Sequence, residues 1–254
     1  MTIENNCYNP FSLKDKTILV TGASSGIGKS IAIECSKMGA TVIITGRNQN
    51  RLQQTYNELE GRINKAIATD LTSDEGLNHL IEASPNLDGI VHCAGSGNRS
   101  LLKLIKKSEI EKTMAANFEA PVLLQKGLLK KKKINQGASL VFIASRAPFA
   151  PTIGNGIYAA SKGALIAYAK VLGLELAPQK IRVNCICPAM VWTDLVRKDA
   201  EMMGVDYDEK QKEYPLGRYG KPEDIAYLSV YLLSDASEWI TGSCIDATGG
   251  AISL

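Results

Sequence analysis

Short apolar runs of strand-forming residues recur along this chain, and longer stretches with apolar positions at helical spacing separate them. The runs are 18–20, 42–45, 66–69, 89–93, 139–144, 182–186 and 244–247. Their length and their strand-forming residues make each read as a strand. Between the first two, Ile27, Ile31, Ala32, Cys35 and Met38 fall on one helical face, and Gly39 closes the segment. The stretch 158–176 is rich in alanine and leucine and lacks proline, so it also reads as a helix. Ser108 and Glu111 have the spacing of a capping box and predict a helix start. Pro222-Glu223-Asp224 predicts another. Strands alternating with helices predict an α/β fold: a single-domain, Rossmann-type, doubly wound parallel sheet of about seven strands with helices on both faces. Ligands then belong at the carboxyl ends of the strands. The expected organisation is an N-terminal extension over 1–12 and one domain over 13–254. One stretch, 189–217, breaks the alternation. An irregular segment of that length in a compact domain predicts a mobile lid over the substrate.

The first strand runs directly into Thr21-Gly22-Ala23-Ser24-Ser25-Gly26-Ile27-Gly28. Strand, glycine turn and helix form the setting of a dinucleotide site, here with the glycines spaced G-x-x-x-G-x-G. Glycines let the backbone approach a pyrophosphate, which rests on the exposed N–H groups and positive end of the following helix. Ser24 and Ser25 offer hydroxyl donors. The second strand ends in Gly46-Arg47-Asn48, with no acid to repel a 2′-phosphate and a guanidinium able to pair with one. This pattern predicts NADP(H) as the coenzyme.

Tyr158 and Lys162 lie one helical turn apart on the predicted 158–176 helix, and Ser145 ends the run at 139–144. A phenol that donates a proton near neutrality must have its usual pKa of about 10 lowered by roughly three units. A cation one turn away has the sign to do this.

These pieces together resemble the short-chain dehydrogenase/reductase family, and the likeness covers nearly the whole chain. The family's glycine motif matches 21–28, and its catalytic set matches Asn117, Ser145, Tyr158 and Lys162 in order. Its adenine-contacting aspartate matches Asp70, followed by Leu71. Its Asn-Asn-Ala-Gly motif appears as His92-Cys93-Ala94-Gly95, with only the last two kept. Its Pro-Gly motif appears as Pro188-Ala189, and Val191 and Thr193 still match the contacts at the nicotinamide end. The resemblance implies that Tyr158 protonates a ketone oxygen as hydride arrives, that Ser145 hydrogen-bonds the same oxygen, and that Lys162 tunes the phenol and holds the nicotinamide ribose. It implies that Asn117 anchors a relay water. The coenzyme would touch Gly22, Ser24, Ser25, Gly26, Ile27, Gly28, Arg47, Asn48, Asp70, Leu71, Ala94, Gly95, Tyr158, Lys162, Pro188, Val191 and Thr193. The branch most similar reduces β-ketoacyl thioesters on acyl carrier protein. The stretches at 215–226 and 240–250 that suggest it are shared with hydroxysteroid and sugar-alcohol dehydrogenases. A non-catalytic nucleotide sensor is the other reading, and the intact Asn-Ser-Tyr-Lys set argues against it. The family also implies a homotetramer, which small residues along 160–167 would suit.

Composition narrows this little. The chain has 254 residues, 45% of them hydrophobic and 22% charged, and a net charge of +3 that is too small to argue for nucleic acid, so none is expected. Lys130 to Lys133 form the densest charge run. It reads as a solvated helix end or as a dock for an acidic carrier protein. Six cysteines without metal spacing read as reduced thiols, and two histidines give no basis for a metal site. No membrane span or secretory signal is evident, so a cytoplasmic location is expected.

Overall fold

A computed structural model describes residues 8–251 except 62, 98, 195 and 198–205. Its centre is a seven-stranded sheet in which every pairing is parallel. The strands are β1 (Thr17–Thr21), β2 (Thr41–Gly46), β3 (Lys65–Ala68), β4 (Leu87–His92), β5 (Ile134–Ile143), β6 (Arg182–Pro188) and β7 (Cys244–Ala247). Their order is β3-β2-β1-β4-β5-β6-β7. A sheet buried on both faces needs apolar residues at nearly every position, which is why the strands appear as continuous runs in the sequence.

Among the described residues, α1 (Gly26–Lys37), α2 (Gln49–Asn57) and α8 (Pro222–Leu233) cover one face. The other face packs α3 (Asp74–Ala83), α5 (Ala120–Lys130) and α6 (Gly156–Leu176). A short helix, α4 (Lys107–Met114), reaches α5 through a π-helical turn at Ala115–Glu119. The expected cap at Ser108 and Glu111 falls two residues late. The carboxylate of Glu109 accepts the Lys106 N–H at 3.0 Å, which places Ser108 inside the first turn.

β5 begins well before its apolar run. Its polar start is held from the side, where Asp88 accepts hydrogen bonds from the Asn135 side chain (2.7 Å) and the Thr17 N–H (2.8 Å). Hydrophobic patterning cannot register a strand end stabilised in this way. The lysine run precedes this strand, so the ten residues of β5 separate it from Ser145 by about 30 Å. Lys131 pairs with Glu82 at 2.8 Å, and Lys133 donates to the Glu82 carbonyl. The run therefore lies at the far end of the sheet from the strands' carboxyl ends.

The flanks of 189–217 are packed. Val191 bridges to Gly220, and Trp192 donates to the Gln211 side chain at 3.0 Å. Trp192 also joins Tyr207, Tyr214 and Tyr219 in an aromatic cluster that includes Ala251, and α7 (Tyr207–Lys210) lies within the stretch. The middle of the expected lid, residues 195 and 198–205, lies outside the described residues, as do residues 1–7 of the N-terminal extension. Beyond these, Pro10 and Phe11 are docked: the Pro10 carbonyl accepts the Ala236 N–H, and Phe11 packs on Tyr231. One correction concerns α6. By length and composition, residues 156–179 would suffice to cross a membrane. Lys162, Lys170 and Glu175 interrupt them, and the inner face is buried against the sheet, as in a core helix.

His92, where the family motif has asparagine, is buried at the end of β4. It stacks on Phe142 with centroids 4.5 Å apart and shares a 3.2 Å hydrogen bond with Gln125. Burial lowers its pKa from 6.5 to about 4. The unfolded chain therefore binds the extra proton first as pH falls. The neutral ring's contribution is complete above pH 6.5 and is lost between there and pH 4, a cost of about 3 kcal/mol. Urea unfolding across that range should show this slope. His92→Asn should flatten it while lowering stability at neutral pH.

Candidate active site

The strand order places β1 beside β4, although the helices that follow them lie on opposite faces. The loops leaving the two strands diverge there and open a crevice. It forms a cleft of about 1460 Å³, lined from the glycine turn at one end to Ser145 and Tyr158 at the other.

The first wall is backbone. Gly22 has φ +69°, and a Cβ on it would lie 2.8 Å from the Ala94 backbone, so the β1 and β4 loops touch. Thr21 fastens them: its hydroxyl accepts the N–H groups of Cys93 and Ala94, each at 3.0 Å. A Cβ on Gly28 would lie 2.4 Å from the Gly22 carbonyl oxygen, which allows α1 to start tight against the turn. Ser25, the extended residue before α1, makes no side-chain cap bond. Ser24, Ser25, Gly26, Ile27 and Gly28 all face the cleft, and the first turn of α1 carries no acid. These groups fit an anion such as a pyrophosphate.

Arg47 and Asn48 line the cleft where β2 ends. The Asn48 side chain accepts the Arg51 N–H at 2.9 Å, so it caps α2. The Asp70 carboxylate accepts from the Thr72 N–H (3.0 Å) and hydroxyl (2.8 Å). These bonds, chiefly the backbone one, hold its pKa below the usual carboxylate value, and the positive charge of Arg47 adds to the effect. Leu71 lies beside it, and Ala94 and Gly95 complete this part of the wall.

At the other end Ser145, Tyr158, Lys162, Pro188, Val191 and Thr193 share the cleft. Lys162 is 5% exposed, and its ammonium donates to the Ile143 carbonyl at 2.8 Å. That ammonium sits 5.9 Å from the centroid of the Tyr158 ring. The Ser145 hydroxyl accepts the Ala147 N–H at 3.1 Å. The Pro188 carbonyl accepts the Arg146 N–H at 2.9 Å, and the Arg146 side chain pairs with Asp246 at 2.8 Å, so β5, β6 and β7 are tied together beside the serine.

Asn117 is the one expected site residue absent from the wall. It is 1% exposed, in the π-helical turn. Its amide accepts the Ser96 N–H (2.8 Å) and donates to the Ser96 carbonyl (2.9 Å) and the Ser161 hydroxyl (3.0 Å). Ser161 in turn donates to the Tyr158 carbonyl at 2.8 Å. Thr21, Ser96 and Ser161 therefore support the site, and the sequence reading gave none of them a role. Thr21 opens the glycine motif, and Ser96 and Ser161 each adjoin a motif residue.

A family profile described as enoyl-(acyl carrier protein) reductase matches residues 22–251. The 3-oxoacyl-[acyl-carrier-protein] reductase of Rickettsia felis is 34% identical over 245 residues, covering 94% of this chain and 98% of the relative. The chain belongs to the short-chain dehydrogenase/reductase family. Like other members of this family, it is a nicotinamide-dependent oxidoreductase acting on CH–OH groups. L-xylulose reductase of Caenorhabditis elegans is 33% identical, with 94% of this chain and 97% of the relative covered. Among solved structures, a putative short-chain alcohol dehydrogenase from Sinorhizobium meliloti matches with TM-score 0.88 at 30% identity, covering 97% of this chain and all (100%) of that one. The 3-ketoacyl-(acyl-carrier-protein) reductase of Brucella melitensis, complexed with NADH, matches with TM-score 0.84 at 28% identity, covering 94% and 99%.

Gly95 lets the buried polar cluster approach the cleft. A Cβ there would stand 3.0 Å from Asn117 Oδ1 and 3.5 Å from Lys162 Nζ. Because three hydrogen bonds fix the Asn117 amide, it cannot yield freely. Gly95→Ala should lower kcat/KM about tenfold, equivalent to roughly 1.4 kcal/mol. Unchanged far-UV circular dichroism would show the fold intact.

Proposed function

We propose that this reductase uses NADPH to reduce ketones, with a 3-oxoacyl thioester as the substrate class. The observation that carries the reading is the meeting of Tyr158, Lys162 and Ser145 in one cleft with the glycine turn. When bound, the coenzyme supplies the hydride. The glycine turn and the start of α1 hold its pyrophosphate, Asp70 its adenine, and Arg47 its 2′-phosphate. Lys162 holds the nicotinamide ribose, and Pro188, Val191 and Thr193 contact the nicotinamide end. Tyr158 gives its proton to the carbonyl oxygen, while the Ser145 hydroxyl donates a hydrogen bond to that oxygen and stabilises the charge forming there. The Ile143 carbonyl fixes the Lys162 ammonium, and Asn117 positions the helix turn carrying Tyr158 through Ser161. Both amide N–H groups of Asn117 are engaged, so a relay water would have to donate to Oδ1 or bind the backbone.

The thioester class follows the Rickettsia and Brucella relatives, whose names carry it. A carrier protein would deliver it at the cleft rim, where Lys106 and Lys112 line the opening, and not at the distant run from Lys130 to Lys133. The xylulose-reducing relative favours sugar ketones as the second reading. We place the enzyme in the cytoplasm as a homotetramer. The outward apolar residues Leu123 on α5 and Val171 and Leu174 on α6, the last 78% exposed, support an assembly face.

Coenzyme choice should follow Arg47. A charge-assisted contact is worth about 1.5–3 kcal/mol, so NADPH should be preferred roughly 10–100-fold. Arg47→Ala should weaken NADPH binding and spare NADH. Equal use of both by the wild type would overturn the assignment.

Tyr158→Phe removes only the proton-donating oxygen. Coenzyme fluorescence titration should show binding retained, while turnover of 3-oxoacyl thioesters and sugar ketones disappears. A variant that keeps an appreciable fraction of wild-type rate would show that the phenol is not the donor.

A further inference from the structure

At the C-terminal edge of the sheet, β6 and β7 bring three thiols together. Cys185 is the register partner of Cys244, and Cys187 is the partner of Asp246. Residues two apart on a strand share a face. All three sulfurs accordingly lie on the side covered by α6 and pack with its core. Paired Cα atoms on neighbouring parallel strands are about 4.8 Å apart, within the span of a disulfide. Side chains there stand parallel and do not converge, so a bond between them is strained and readily reduced.

The thiols differ in character. Cys185 and Cys187 are buried, while Cys244 is half-buried. A hydrogen bond with Cys185, and then the nearby Lys170 cation, favour the Cys244 thiolate. The same hydrogen bond and burial keep Cys185 protonated, and burial pushes Cys187 up to about 12. One accessible nucleophile therefore sits beside a buried resolving thiol.

We propose that Cys244 and Cys185 form a peroxide-sensitive modification site that closes to an intrachain disulfide. The Cys244 thiolate attacks the O–O bond of hydrogen peroxide, gaining one oxygen as a sulfenic acid and releasing hydroxide. The Cys185 thiol then displaces that oxygen as water and forms the S–S bond. In sum, two thiols give up two electrons and two protons, and one peroxide becomes two waters. The bond pulls β7 against β6 where β6 meets the site. The Ser145 N–H lies beside the Cys187 sulfur, and the Ala189 N–H donates to the Ala247 carbonyl at 3.1 Å. Closure thus shifts Ser145 and Pro188 and slows turnover, a coupling that rests on the reductase reading above.

Full-length protein would be treated with hydrogen peroxide and then dithiothreitol, with intact mass, peptide mapping and ketone reduction followed at each stage. The expected result is a mass lower by two hydrogens, a Cys185–Cys244 linked peptide, and turnover reduced about tenfold, all reversed by dithiothreitol. Cys244→Ser should keep the basal rate and resist peroxide. Thiols that stay free, a bond mapping to other cysteines, or equal inactivation of Cys244→Ser would overturn the site. A mapped bond with unchanged turnover would overturn its coupling to the serine. Reduced protein that turns over no ketone would overturn the reductase reading alone, because mapping the bond needs no turnover.

Discussion

The site depends on one contact, the seam between the loops that leave β1 and β4. Thr21 accepts two backbone N–H groups of the β4 loop, and Gly22 lets that loop lie against it. On one side of the seam is the turn that opens α1. On the other, Gly95 and Ser96 lead to Asn117, Ser161 and Lys162. The proposed coenzyme cradle and the proton-handling groups are thus held in a fixed relation by neighbouring strand ends, with no dedicated domain to align them. Buried polar groups in such a chain are costly unless each is satisfied. The four hydrogen bonds linking Ser96, Asn117, Ser161 and Tyr158 meet that requirement.

The strands and helices were legible because a sheet covered on both faces demands unbroken apolar runs, and helices covering it demand one apolar stripe. The glycine turn was legible because its conformation excludes side chains. What escaped the sequence was stabilised by polar side chains whose partners the apolar pattern does not mark. The polar start of β5 is held by Asp88, and the start of α4 is set by Glu109 two residues from the expected box. Thr21, Ser96 and Ser161 are small hydroxyl residues or backbone partners whose roles appear only when another strand or helix is brought near. The aromatic cluster around Trp192 escaped for the same reason, since Tyr207, Tyr214 and Tyr219 carry no periodic signal.

Asn48 sits at a cleft position and also caps a helix. It faces the cleft, as the resemblance implied, but its side-chain oxygen is engaged in starting α2. Arg47 directly precedes that cap, so under the proposed coenzyme reading the phosphate-pairing residue would sit one position from a helix start.

The length of α6 has a mechanical consequence. Its 21 residues form a rod of about 30 Å that carries Tyr158 in its first turn and the exposed Leu174 in its last. A rod this stiff transmits displacement along its axis with little loss. A contact at Leu174 and the phenol of Tyr158 therefore share one stiff element. Under the proposed assembly, a neighbouring subunit docked on Leu174 would bear on the same helix that carries the proposed proton donor.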